Sequence, residues 1–169
     1  MKLVYSDRYD LNLGSHVFPS IKYRLVKEQL LRDHVVEPGD FVEPPPASDD
    51  DIALVHHREY LRKLQSGKLS YQEVLRLEIP YSPELIRAVW LAAGGSILAG
   101  RLALEDGAAV NVGGGFHHAY PDHGEGFCVL NDFAVAIRSL QKAKTIENLE
   151  TVGRETHPPF DRAHLFSRL

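Results

Sequence analysis

The chain has 169 residues, 44% of them hydrophobic and 25% charged. This is the composition of one ordinary folded domain and not of a disordered segment. The formal net charge of −4 excludes the basic footprint of a nucleic-acid-binding surface, and the single cysteine excludes a disulfide framework or a Cys-rich zinc site.

The N-terminus lacks the apolar stretch of a signal peptide. The longest apolar region, residues 85–104, carries Arg87 and Arg101 and is too mixed to span a bilayer. A cytoplasmic protein with no membrane partner is expected. Lys2 to Tyr5 reads as a short strand, and Asp7 to Pro19 as a loop with Asn12, Gly14, Ser15 and Pro19. Ile21 to Leu31 carries Ile21, Leu25, Val26 and Leu30 at helical spacing, with Lys, Arg and Glu on the other face. Pro38-Gly39 marks a turn, Phe41-Val42 a brief strand and Pro44-Pro45-Pro46 an extended segment. Ser48 to Asp51 offers N-cap residues for a short helix through Val55. A second helical segment, His57 to Leu64, ends near Ser66-Gly67.

Ser82-Pro83-Glu84 is a helix start: a capping hydroxyl, proline at the first helical position and an acid in the first turn. This helix is expected to run to about Glu105, with Leu85, Ile86, Val89, Trp90, Ala93, Ile97, Leu98 and Leu102 buried on more than one side. Ala92-Ala93-Gly94-Gly95 makes a flat patch for close packing. Ala108 to Val112 reads as a buried strand, and Asn131-Asp132 as the cap of a helix from Phe133 to about Lys142. Helices alternating with short apolar strands predict an α/β fold with a parallel sheet. Two good strands make a poor sheet, so the chain reads as the N-terminal part of a larger domain. Thr145 to Leu169 has no sustained apolar run and reads as irregular coil.

The chemistry concentrates between Asn111 and Asp132. Gly113, Gly114 and Gly115 strip the side chains from a bend, so another group can approach closely. His117 and His118 stand directly behind it and can exchange protons near neutral pH. Three kinds of site are open to these residues. A phosphate loop suits the strand-then-glycine order, but the motif is neither G-x-G-x-x-G nor a P-loop. A zinc site would draw on His117, His118, Asp122, His123 and Cys128, although adjacent side chains on extended backbone point apart. An acid/base pair beside a metal held by other segments needs a loop that turns at the two histidines, and a carboxylate behind each. A plain loop of solvated histidines is the ordinary alternative; so many demanding residues in one span argue against it.

Asn111-Val-Gly-Gly-Gly-Phe-His-His, followed by Gly126-Phe127-Cys128 and Asn131-Asp132, resembles the signature of the histone deacetylase family, with its acetoin-utilisation and acetylpolyamine amidohydrolase relatives. The resemblance is in the manner of class IV and bacterial deacetylase-like members. It extends to Val4-Tyr5-Ser6, His16-Val-Phe-Pro19, Val55-His56 with Tyr60-Leu61, and Ala93-Gly94-Gly95. It covers residues 1–143, with 144–169 a divergent irregular tail. It implies the arginase/deacetylase α/β fold, here with an incomplete sheet. It also implies zinc-dependent removal of acetyl groups from acetylated lysine, a polyamine or a small N-acetyl substrate. By position His117 and His118 are implied as the tandem catalytic histidines, one a general base and the pair delivering a proton to the leaving amine. Gly115 and Phe116 are implied to shape the floor of the substrate channel, and Gly126 and Phe127 to line it. Asn131 and Asp132 are implied as helix caps, not reacting groups.

The family's Asp-x-Asp-x-His run, its later Asp and its Tyr are not recognisable in this chain. Zinc is therefore expected without recognisable ligands. Glu155-Thr-His157 keeps a carboxylate-x-His spacing, but Glu150, Gly153 and Arg154 interrupt its strand and Pro158-Pro159 replaces the glycine turn. Asp161 and His164 are weaker candidates. The expectation is a deacetylase-like zinc amidohydrolase truncated before its zinc-ligand strand, with activity of this chain alone in question. The alternatives are a non-catalytic remnant acting as an interaction module, and a small metal-binding protein using His117, His118, His123 and His157. Elsewhere structural roles are expected: packing and surface for His56-His57 in a helical region, core for Trp90, a packed thiol for Cys128, capping and solvation for Asp49-Asp50-Asp51. His16 either borders the substrate entrance or is an ordinary loop histidine.

Overall fold

The computed structural model describes residues 1–11 and 13–146. The tail assigned to 144–169, with Glu155, His157, Asp161 and His164, falls from residue 147 on outside the described residues. Three parallel strands, β1 (Lys2–Val4), β2 (Phe41–Val42) and β3 (Ala109–Asn111), form a sheet in the order β2-β1-β3. Leu3 pairs with Phe41 on one side and Val110 on the other, and Val4 with Val42 and Asn111. Parallel strands need long crossovers. The first carries α1 (Lys22–Arg32); the second carries α2 (Asp49–Ile52), α3 (Arg58–Ser66), α4 (Tyr71–Leu77) and α5 (Pro83–Asp106). The glycine loop follows β3 and leads into α6 (Asp132–Lys142). This is the expected α/β fold with an incomplete sheet.

β1 is buried on both faces, which is why it reads as an apolar run without alternation. β3 is different. It is an edge strand among the described residues, and Val110 is 43% exposed. The expected buried strand is thus covered on one side only, because an apolar run does not report how many neighbours a strand has.

The long core helix α5 is capped as its sequence predicts, the Ser82 hydroxyl accepting the Leu85 N–H at 3.0 Å. Contrary to the expectation that this region is too mixed to span a bilayer, α5 is long and apolar enough to cross one by length and composition; its most apolar window is 67% buried inside the structure. The flat patch is used: Gly94 faces the Pro45 carbonyl, Gly95 the Tyr9 hydroxyl, and the Ala47 N–H bonds the Trp90 carbonyl at 2.9 Å. Trp90 is core, and its indole N–H donates to Asp49 at 2.8 Å. The three aspartates do more than cap and solvate. Asp50 meets Arg58 at 2.7 Å, and Asp51 accepts from Ser139 of α6 at 3.0 Å.

Three further expectations change. α1 turns Leu25 and Val26 outward, as Ile21 just before it is, and buries Tyr23, which packs edge-on against Tyr9 at 6.0 Å. Helical spacing located the helix but not the face it would bury. His56 and His57 lie in the link between α2 and α3, not within a helix. Helix α4 was not expected, although its start is written in Ser70-Tyr-Gln-Glu73. The Glu73 carboxylate accepts the Ser70 N–H at 2.7 Å and the Ser70 hydroxyl accepts the Glu73 N–H at 3.3 Å, a reciprocal capping box.

Leu64 of α3 is completely buried in the main core, whereas Leu75 of α4 is 57% exposed. Leu64→Ala is expected to lower the unfolding free energy by about 2–5 kcal/mol. Leu75→Ala should change it by less than about 0.5 kcal/mol. Urea denaturation of the two variants compares them directly.

Candidate active site

The site begins where β3 runs out. The Asn111 carboxamide turns back into the molecule: Nδ2 donates to the Ala92 carbonyl at 2.9 Å and the Ser96 hydroxyl at 3.0 Å, and Oδ1 accepts the Gly113 N–H at 3.2 Å. The other end of the loop is held by Asp132, which is 1% exposed. Its Oδ1 accepts the Phe116 N–H at 2.7 Å; its Oδ2 accepts the Gly115 N–H at 3.1 Å and the Ser96 hydroxyl. Its own N–H donates to the Phe116 carbonyl at 3.1 Å. Burial pushes the Asp132 carboxyl up, against the pull of the hydroxyl and the two amides.

Two glycines are required here for different reasons. A Cβ on Gly114 would lie 2.7 Å from Asp132 Oδ2 and 2.8 Å from Asn111 Nδ2, so no side chain fits. Gly115 has φ +103°, outside the range of ordinary L-residues. Asp132 therefore does not act as the cap expected of it. Asn131 alone caps α6, its Oδ1 accepting the Ala134 N–H at 3.0 Å. The Asp132 carboxylate faces the glycine loop instead.

This gathering of the loop brings the two histidines together. The ring centroids of His117 and His118 are 4.2 Å apart with their planes at 42°. The expectation that neighbouring side chains diverge assumed extended backbone; the bend overturns it. A carboxylate is expected behind each histidine; among the described residues the His117 Nδ1 meets the Gly115 carbonyl at 3.0 Å. A carbonyl only accepts, so Nδ1 carries the proton and Nε2 is the basic nitrogen of the neutral ring.

Gly126 and Phe127 are held from another direction. The Gly126 N–H donates to the Arg76 carbonyl at 3.2 Å and the Phe127 N–H to the Leu77 carbonyl at 2.9 Å, both at the end of α4. The helix missed in the sequence thus holds the residue expected to line the channel. Phe127 has φ 67°, an uncommon conformation for a non-glycine residue, secured by that bond. Its ring packs on Phe18 at 5.7 Å, and Phe18 packs on Phe116 at 6.2 Å. Phe116, Phe18 and Phe127 form one aromatic wall, beside an apolar cavity lined also by Tyr9, Leu85 and Gly113. Phe18 was not singled out in the sequence; its only signal was a place in the His16-Val-Phe-Pro19 loop. His16 belongs to this wall, edge-on to Phe127 at 5.5 Å, with Nδ1 accepting the Phe18 N–H at 3.1 Å and Nε2 donating to the Glu78 carbonyl at 2.8 Å.

Behind the loop stand the α2–α3 link and α3. His56 is 1% exposed; its Nδ1 contacts the Tyr120 carbonyl at 2.9 Å and its Nε2 accepts the Asn131 N–H at 3.0 Å. The His57 N–H donates to the Pro121 carbonyl at 2.7 Å and the Tyr60 hydroxyl to the Val129 carbonyl at 2.9 Å. Burial pushes the His56 imidazole down to about 4 and the Cys128 thiol up to about 11, so the thiol keeps its proton, as a packed residue should.

No group of three or more His, Cys, Asp or Glu among the described residues is placed to hold a metal. Asp122 and His123 bond each other at 2.7 Å, and the His123 ring stacks on Tyr120 at 4.7 Å.

A family model for the histone deacetylase domain matches residues 16–152. An uncharacterised protein of Picosynechococcus sp. is 36% identical over 151 residues, covering 89% of this chain and 50% of that protein. Histone deacetylase 2 of Arabidopsis thaliana is 34% identical over 167 residues, covering 93% of this chain and 43% of that protein. The chain thus spans about half the length of the curated relatives it matches. Among solved structures, the HD domain of HDA15 superposes with a TM-score of 0.70 at 19% identity, covering 85% of this chain and 44% of that one.

Two outcomes follow from this geometry. Asp132→Ala leaves two amides and a hydroxyl without their acceptor. It should cost about 2 kcal/mol or more by chemical denaturation, since an orphaned buried group costs about 1–3 kcal/mol and the Ser96 hydroxyl is buried, the two amides partly so. His56 gives the pH dependence. Its folded value of about 4 lies below the ordinary 6.5, so the unfolded chain binds the proton first as pH falls. Its contribution is complete above 6.5 and is lost between 6.5 and about 4, amounting to about 3 kcal/mol. Melts across that window should show the loss, and His56→Gln should flatten it.

Proposed function

The chain belongs to the histone deacetylase family, and from that premise we propose that it carries the proton-handling wall and substrate channel of a site that hydrolyses N-acetyl amides. The observation that supports this most is the pairing of the His117 and His118 rings at 4.2 Å, beside a wall of Phe116, Phe18 and Phe127. An aromatic wall suits the alkyl stem of acetyl-lysine, or the methylene chain of an acetylated polyamine. In the proposed reaction a water attacks the acetyl carbonyl carbon, and one imidazole takes its proton. As the C–N bond breaks, the histidine pair returns a proton to the amine, and acetate leaves. The Gly115 carbonyl holds a His117 proton on Nδ1, which leaves Nε2 as the nitrogen for proton exchange.

Zinc is the metal that family membership implies. The described residues do not fit it as a ligand set: Asp132 is taken up by amides, His56 by main-chain groups, and Cys128 stays protonated. They do not hold the metal by themselves. A binding module without turnover is the second reading, favoured by that same lack of a ligand set.

Acetate release from an acetyl-lysine peptide and from an acetylated polyamine, with zinc content measured on the same protein, tests the proposal. Turnover is expected to fall about 10²–10⁴-fold in His117→Ala and in His118→Ala, the range for loss of a general acid or base. Turnover at the wild-type rate in both variants would sink the assignment, and no turnover with tight peptide binding would favour the binding module.

A further inference from the structure

His56 stands in the turn between α2 and α3, yet both of its ring nitrogens are engaged by the loop that carries the histidine pair. The Tyr120 carbonyl can only accept and the Asn131 N–H can only donate. The ring must therefore be neutral, with its proton on Nδ1 and its lone pair on Nε2. One rigid ring spans the two limbs of the segment between His117 and Asn131. Asn131 passes the constraint on. Its Nδ2 donates to the His117 carbonyl at 3.2 Å while its Oδ1 caps α6. The neighbouring bonds, His57 to Pro121 and Tyr60 to Val129, brace the same segment but do not reach His117.

We infer that His56 is a positioning residue for the His117–His118 pair: by accepting the Asn131 N–H at Nε2, it sets the Asn131 carboxamide against the His117 carbonyl and keeps the two rings together. The consequence for catalysis rests on the deacetylase reading; the linkage does not. Two substitutions separate the bonds of the ring. Glutamine places an oxygen near the position of Nε2 and retains an acceptor for Asn131. Asparagine places a nitrogen near the position of Nδ1 and serves Tyr120 only. Leucine serves neither.

The experiment is nuclear magnetic resonance of the imidazoles in the full chain at neutral pH, with a thermal melt of each variant. Wild-type His56 is expected as the neutral Nδ1–H tautomer in a long-range proton–nitrogen correlation. His56→Gln should leave the His117 and His118 resonances in place. His56→Asn and His56→Leu should move both by more than a linewidth while a cooperative melt is retained. An Nε2–H tautomer in the wild-type protein overturns the inference without any variant. Unchanged His117 and His118 resonances in folded His56→Asn overturn it as well. The spectra use no substrate, so absent acetate release would defeat the deacetylase reading and leave this linkage standing, and unchanged spectra would do the reverse.

Discussion

The site depends on one buried carboxylate. Asp132 sits at the start of α6, and its two oxygens collect donors from α5 and from two consecutive residues of the glycine loop. A carboxylate out of water is costly unless it is fully hydrogen-bonded. The helix start lends partial positive charge to it, and the loop lends two amides. The requirement runs both ways: the loop needs the acceptor to fold back, and the carboxylate needs the loop to remain buried. Gly114 is glycine because that contact leaves no room for a Cβ. The surface ion pairs, such as Arg8–Glu43 and Arg58–Asp50, decide little by comparison, since exposed pairs contribute about 0–1 kcal/mol.

From that anchor the rest of the wall follows. Turning the loop at Gly115 puts His117 and His118 on one side. Asn131, one residue before Asp132, grips the His117 carbonyl, and His56 grips Asn131. The aromatic half is secured separately by the end of α4, whose carbonyls hold Gly126 and Phe127. The start of α6 thus holds the glycine loop, and the end of α4 holds Gly126 and Phe127. The relatives and the family model speak for the ancestry of the chain; the described residues carry the paired histidines and no ligand set for a metal.

Much of this was readable in the sequence where local chemistry decides. The Ser82-Pro83 start of α5, the Asn131 cap and the parallel-sheet pattern depend on neighbours in the chain, and they stand as expected. What was missed depends on partners far along the chain. Asp132 looked like a cap because nothing local shows that its carboxylate meets Ser96 and Gly115. His56 looked like a packing residue for the same reason: its partners lie beyond residue 119. The outward face of α1 and the open edge at β3 are likewise set by what does or does not pack there. Helix α4 is the exception, since its capping box was in plain view and only its short apolar pattern hid it.

Asp132 shapes the glycine loop through the Gly115 and Phe116 amides. Hydrogen exchange at those two amides tests it most directly, because it reads the bonds themselves without substrate or metal. Phe116 should exchange only with the core of the molecule, on the scale of Val135 in α6, and Gly115 should be protected although its surface is exposed. Exchange of both amides at the rate of an unstructured loop would contradict it.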